Sequence, residues 1–305
     1  MDPLVIVFGL GVGILIGMTG IGGGSLMTPL LILFAGIHPT VAIGTDLAYG
    51  AVTKTLGGWR HLRKGTVDLG VSKWLAFGSV PGSIAGVVVL DVWLKHSPSI
   101  LLTGVAIALL VVSVSMLFRA LFLQAAIERE SVFLDRATRV QAVGLGLLLG
   151  FLLGLTSVGS GALIGLALIL VFRLTPHRVV GTDVFHAAIV LWAAGLAQLV
   201  AGNVDFALMG TILIGSLPGV VVGTAVSGRI PAVVLRPTLG CVLLGSSLGV
   251  LTKAGVDLPT WTIVGIPALV GLVAALIHRA RPNLAGRARS HSSSSDVTTT
   301  EAAAA

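Results

Sequence analysis

Displaced by 137 residues, the chain matches itself. Gly17 falls on Gly154, and the register runs without a gap to Gly86 on Gly223. Along it lie Thr19/Thr156, Gly22/Gly159, Gly24/Gly161, Pro39/Pro176, Gly44/Gly181, Thr45/Thr182, Asp46/Asp183, Gly65/Gly202, Asp68/Asp205, Ser79/Ser216 and Pro81/Pro218. A self-match at one fixed spacing marks two copies of one structural unit. Whatever the unit folds into, the chain must build it twice.

The unit is not a soluble one. Of 305 residues, 55% are hydrophobic and only 10% charged, and the mean hydropathy is +1.04. That leaves too little polar surface for a water-soluble globule and predicts an all-α polytopic membrane protein. The net charge of +7 sits in short clusters between apolar runs. Such clusters orient helices in a bilayer, so no nucleic-acid partner is expected. One cysteine, Cys241, excludes a disulfide framework and a cysteine metal cluster. Met1-Asp2-Pro3 lacks a basic leader region, so the first apolar run reads as a retained membrane segment.

The boundaries read as a first transmembrane repeat over 1–123, a connector over 124–139, a second repeat over 140–252, an extra helix over 253–281 and a disordered tail over 282–305. The run from Leu4 to Ala35 has 32 residues. As one helix it would extend about 48 Å at 1.5 Å per residue, against a hydrocarbon core of about 30 Å. A broken or re-entrant hairpin, folded at Gly20–Gly24 and again at Ser157–Gly161, fits better. With three further crossings per unit, Arg60, Arg63, Lys64, Lys73, Arg119, Arg139, Arg173 and Arg178 gather on one face. His38, Asp91, Lys95, Asp205 and Asp257 remain on the other. The excess of Lys and Arg marks the cytoplasmic side. The expectation is two inverted-topology repeats in the cell (plasma) membrane, with the N-terminus outside and the C-terminus cytoplasmic.

Paired interruptions at matching places in two halves are the best sequence pointer to a transporter's binding site. Here they are Gly17-Met-Thr-Gly-Ile-Gly-Gly-Gly-Ser25 and Gly154-Leu-Thr-Ser-Val-Gly-Ser-Gly-Ala162. Helix ends at such a tip leave N–H groups free and can hold an anion. Thr19, Gly22, Gly23, Gly24 and Ser25 of the first tip, with Thr156, Ser157, Gly159, Ser160 and Gly161 of the second, are the expected substrate-binding residues. The competing reading is close packing of small residues.

Thr45-Asp46 and Thr182-Asp183 lie within apolar runs. An Asp at membrane depth is a functional candidate by default, with helix N-capping the alternative. A carboxyl beside an anion could carry a proton with the substrate. Lys54, Asp46, Asp183 and His186 are the coupling or gating candidates. Lys54 is expected to snorkel to the cytoplasmic face, and His61 to face the cytoplasm. Gly78-Ser-Val-Pro-Gly82 and Gly215-Ser-Leu-Pro-Gly219 are expected to interrupt their helices as bends or hinges, with plain packing the alternative.

Taken in order, Gly20-Ile-Gly-Gly-Gly-Ser-Leu-Met-Thr-Pro29, Pro39, Gly44-Thr-Asp46, Lys54, His61, Gly65-Thr-Val-Asp68 and Gly78-Ser-Val-Pro-Gly82 form a set whose tip, Pro39, Gly-Thr-Asp and Gly-Ser-x-Pro-Gly elements recur in the second half. The set resembles the sulfite exporter TauE/SafE family of the toluene sulfonate uptake permease group, over about Leu4 to Leu251. The resemblance implies a secondary carrier of sulfur-containing anions such as sulfite or organosulfonates. In the second copy the triple glycine is reduced to Gly159-Ser160-Gly161, and Pro29 becomes Leu166. With no Gly-x-x-x-x-Gly-Lys segment, coupling is expected from an ion gradient or a separate subunit. The expectation is no enzyme, no cofactor and no metal, with a small anionic substrate and the lipid bilayer as partners; a homo-oligomer stays open. The alternatives are a cation transporter using Asp46 and Asp183, or a non-catalytic membrane accessory subunit.

Overall fold

The computed structural model describes residues 3–19, 24–122, 134–226 and 232–276. The first repeat supplies α1 (Pro3–Thr19), α2 (Gly24–Leu33), α3 (Pro39–Arg63), α4 (Leu69–Val89, ending in a π-turn at Leu90–Leu94) and α5 (Pro98–Phe122). The second supplies α6 (Arg136–Thr156), α7 (Leu163–Leu170), α8 (Pro176–Val200), α9 (Phe206–Val226) and α10 (Ala232–Lys253). A shorter apolar helix, α11 (Thr260–Leu276), follows. Five helices among the described residues are long and apolar enough to cross a membrane. The residues expected at Gly20–Gly23, in most of the connector and in the tail lie outside the described residues.

Helix starts follow local chemistry. Pro39 and Pro176 open α3 and α8, where a missing N–H costs nothing. Asp68 caps α4 by accepting from Val71 N at 3.0 Å, and Asp135 caps α6 by accepting from Thr138 N at 2.9 Å. Hydrogen bonding from Thr138 holds the Asp135 carboxyl below the usual carboxylate range. After α3 and α8 the chain turns at Gly65 and Gly202, with φ of 67° and 73°, a conformation glycine adopts without a Cβ clash.

The short helices cannot span the bilayer. At 1.5 Å per residue, the ten residues of α2 reach about 15 Å and the eight of α7 about 12 Å, against roughly 30 Å of hydrocarbon. The α1–α2 pair folds back on itself: the Phe8 and Phe34 rings meet at 5.6 Å between centroids.

Close helix packing relies on glycine. Gly9, Gly13 and Gly17 of α1 press on the α9 backbone at Ile212, Ser216 and Val220, while Gly146, Gly150 and Gly154 of α6 press on Leu75, Ser79 and Ser83 of α4. Each contact is the other displaced by 137 residues with the halves exchanged. A Cβ at any of these six positions would overlap a carbonyl oxygen. α1 and α9 therefore run parallel, whereas α3 and α8 run antiparallel, with Gly44 against Asn203 and Gly58 against Phe185.

The Gly-Ser-x-Pro-Gly segments correct one expectation. α4 continues through Pro81 and α9 through Pro218. Their glycines face α6 and α1, so the small residues serve packing and do not interrupt the helix.

Candidate functional site

On α3 and its C-cap, residues 46, 50, 53, 54, 57, 60, 61 and 64 recur at three- and four-residue spacing and so share one face. That face lines a cavity of about 390 Å³. Its deep end is formed by Asp46, Lys54, Ser157 and Ser160; Arg60, His61 and Lys64 lie at the C-terminal end of α3. The rest of the lining is mostly apolar, with Ile16 of α1, Val184 and Leu191 of α8, and Val220 of α9, beside Thr224.

The second tip shapes the deep end. Ser157 takes a left-handed conformation (φ 58°) and Gly159 a positive φ of 109°, which unwinds the chain between α6 and α7. Holding a serine there costs about 1–2 kcal/mol. From this turn Ser157 Oγ donates to Asp46 Oδ2 at 3.0 Å, and Thr28 Oγ1 of α2 donates to the same oxygen at 2.5 Å. Asp46 is 1% exposed, and its Oδ1 has no hydrogen-bond partner among the described residues. Lys54, 7% exposed, donates to the Ser160 carbonyl at 2.7 Å and lies 3.4 Å from Ser160 Oγ. Its ammonium interacts electrostatically with both Asp183 and Asp46. Asp183 is buried, also interacts with Arg119, and leaves Oδ1 without a hydrogen-bond partner among the described residues. His186 Nε2 and Ser79 Oγ lie 2.9 Å apart between α8 and α4.

Several expected residues stand elsewhere. Gly22 and Gly23 lie outside the described residues, and for Thr19 and Gly24 only their places in α1 and α2 are described. Ser25 is buried in the first turn of α2, away from the cavity lining. Thr156 Oγ1 donates to the Leu152 carbonyl at 2.6 Å and accepts from Val158 N at 3.2 Å, closing the end of α6. Gly159 and Gly161 make the turn, joined by Gly161 N to Gly159 O at 2.8 Å. Thr45 and Thr182 form a matched pair of pins: each Oγ1 accepts a loop N–H of the other half, from Asp205 at 3.0 Å and Asp68 at 2.9 Å.

Lys54 does not snorkel; it turns inward to the tip, where Ser160 accepts its protons. Asp46 and Asp183 do not cap helices, since α3 and α8 begin at Pro39 and Pro176. His61 lines the mouth of the cavity and its Nδ1 sits 3.0 Å from Thr66 Oγ1. The sequence reading missed Thr28, Thr53 and the role of Arg60 and Lys64 as lining. The heptad-like spacing of the α3 face could have revealed the last three; nothing local marks Thr28.

The profile of the family described as "Sulfite exporter TauE/SafE" matches residues 5–250. Three proteins of Bacillus subtilis (strain 168) are similar to the chain. "Probable membrane transporter protein YjnA" is 37% identical over 224 residues, which cover 72% of this chain and 87% of that protein. "Probable membrane transporter protein YdhB" is 27% identical over 68% of this chain and 82% of its own length. "Probable membrane transporter protein YunE" is 26% identical over 67% of this chain and 80% of its own. No solved structure matches significantly.

Proposed function

Because the chain belongs to the sulfite exporter TauE/SafE family, it is a membrane transporter, and we propose that it is a secondary carrier of small sulfur-containing anions working by alternating access. The observation that carries this reading is the one-sided cavity. Cationic side chains stand at its mouth, and a buried lysine and two serines at its end. Such a funnel concentrates anions and offers them donors where water is scarce. The antiparallel pairing of α3 with α8 supports an inverted-topology repeat in the plasma membrane. The gathering of Arg60, Arg63, Lys64, Arg136 and Arg139 at the end where the cavity opens supports a cytoplasmic mouth.

Asp46 is the proposed proton carrier. Its Oδ2 already accepts from Thr28 and Ser157, and Oδ1 is left for a proton. A cation carrier is disfavoured by the buried Lys54, which lines the same cavity as Asp46.

Flux of labelled sulfite in proteoliposomes under an imposed pH gradient tests the reading. Saturable flux, lost when Ser160 is replaced by a bulky residue, is expected. With Asp46→Asn, an anion carrier keeps flux but loses its dependence on the pH gradient. A divalent-cation flux lost in Asp46→Asn, with no anion flux, would overturn the proposal.

A further inference from the structure

Thr28, which donates to Asp46, has Gly165 as its repeat counterpart. α2 lies against α3 as α7 lies against α8. The place from which Thr28 serves the first carboxylate is therefore, in the second half, a notch without a side chain. Arg119, in the last turn of α5, reaches into it. Its Nη1 stands 3.0 Å from where a Cβ of Gly165 would be, and Val179, one turn before Asp183 on α8, borders the same spot at 3.9 Å. The guanidinium acts electrostatically on Asp183. Two matched carboxylates are thus served differently: Asp46 by the neutral hydroxyls of Thr28 and Ser157, Asp183 by a cation from another helix.

Resting on the proton-coupled reading above, we infer that Arg119 is a positioning residue of the transport site: it compensates the charge of Asp183, so that Lys54 is released to the anion when Asp46 takes up a proton. A hydroxyl can donate to a carboxylate and accept from a protonated carboxyl, so the contacts of Asp46 with Thr28 and Ser157 survive proton uptake. A guanidinium only donates and keeps its charge, so Arg119 is a permanent countercharge that offers Asp183 no acceptor for a proton. His186, three residues further along α8, meets Ser79 of α4 at 2.9 Å. The Lys54 ammonium acts on both carboxylates. A buried carboxylate left uncompensated is costly and holds a nearby cation to itself. With Asp183 compensated by Arg119, Asp46 alone competes with the anion for Lys54, and its protonation ends that competition.

The test is a double-mutant cycle on the full chain in proteoliposomes under an imposed pH gradient, with labelled sulfite as the probe. Arg119→Gln should raise the apparent KM by about tenfold, within the range of coupling in one charge network, while maximal flux changes far less. Adding Asp183→Asn should return KM to within about threefold of the original. Arg119→Lys, which keeps the charge, should lose less than Arg119→Gln. Gly165→Thr reports on the same contact with the guanidinium retained: the new side chain takes the notch, the flexible end of Arg119 moves aside, and KM should rise and recover with Asp183→Asn. Dependence on the pH gradient, which Asp46 carries, should persist in every one of these variants. If Arg119→Gln leaves KM unchanged, or Asp183→Asn fails to recover it, the inference fails while the anion carrier stands. Should Arg119→Gln yield no folded protein, Gly165→Thr decides by the same criterion. If the unaltered chain moves no sulfite, the inference falls together with the transport reading.

Discussion

Two interfaces that the repeat makes equivalent are built differently. α8 lies along α4, and its counterpart α3 lies along α9, yet the first pair packs far more extensively than the second. In the tight interface His186 and Ser79 meet at 2.9 Å. In the loose one the counterparts Tyr49 and Ser216 face each other with their hydroxyls outside hydrogen-bonding geometry. The α3 stripe reads Gly50, Thr53, Lys54, Gly57, Arg60, His61 and Lys64; the same stripe of α8 reads Ala187, Val190, Leu191, Ala194, Ala197, Gln198 and Ala201. Small apolar side chains let α8 settle into the bundle. Long cationic ones hold a space open, because burying several like charges together is costly. At the far end of α8, Gln198 and Asn203 are buried, and Asn203 Nδ2 donates to Gln198 Oε1 at 2.9 Å and Asp91 Oδ1 at 3.1 Å, where α3 has the open His61 and Thr66. Internal symmetry thus supplies two equivalent interfaces, and composition decides which one packs tightly.

The largest effect should come from the charge that distinguishes the stripes. Lys54→Met removes the buried amine that donates to the Ser160 carbonyl, a loss of about 3 kcal/mol in binding of the anion, and anion flux should fall by roughly two orders of magnitude in a protein that still elutes as a folded species. Flux near the original level would mean that the α3 stripe holds no functional charge and that the two stripes differ only in packing.

The glycine seams should instead respond alike. Gly13→Ala and Gly150→Ala occupy matched positions against Ser216 and Ser79, and each should destabilise by about 1–3 kcal/mol through overpacking, read as lowered thermal unfolding in detergent. A large difference between them would show that the asymmetry extends beyond the α3 and α8 faces.

Access separates the two faces directly. In a Cys241→Ser background, Thr53→Cys should react with a charged thiol reagent at least about tenfold faster than its counterpart Val190→Cys, since reactivity follows exposure. Equal rates would place both faces in comparable contact with water.

The smallest effect concerns the hydroxyls. Ser79→Ala strands His186 and should cost about 1–2 kcal/mol, whereas Ser216→Ala, which removes no hydrogen bond in this state, should leave unfolding within about 0.5 kcal/mol. An equal cost would mean that both latches are closed together, and the comparison would lose its basis.

Much of the architecture was legible in the chain. The 137-residue offset foretold the duplicated unit, the overlong first run foretold the α1–α2 hairpin, and Pro39 and Pro176 foretold the starts of α3 and α8. These features depend on neighbours in sequence, on run length against membrane thickness and on the N–H that proline lacks. The site was legible only in part. Asp46, Lys54, Ser157 and Ser160 were singled out because polar groups inside apolar runs are rare, and they do converge. Thr45 and Thr182 were expected at the same place for the same reason, and they pin loops instead.

The sequence by itself determined the copies, the helices, the hairpin tips and the end at which basic residues collect, since each follows from local chemistry or from periodicity along one chain. Only the tertiary structure decided which groups meet: that Thr28 of α2 donates to Asp46, that Lys54 turns inward to Ser160, and that Lys54 and Leu191 share one cavity. Periodicity defines the face of a single helix. Which face meets it across the bundle depends on the packing of backbones at glycine seams, and residues more than a hundred positions apart carry no local signal of that encounter.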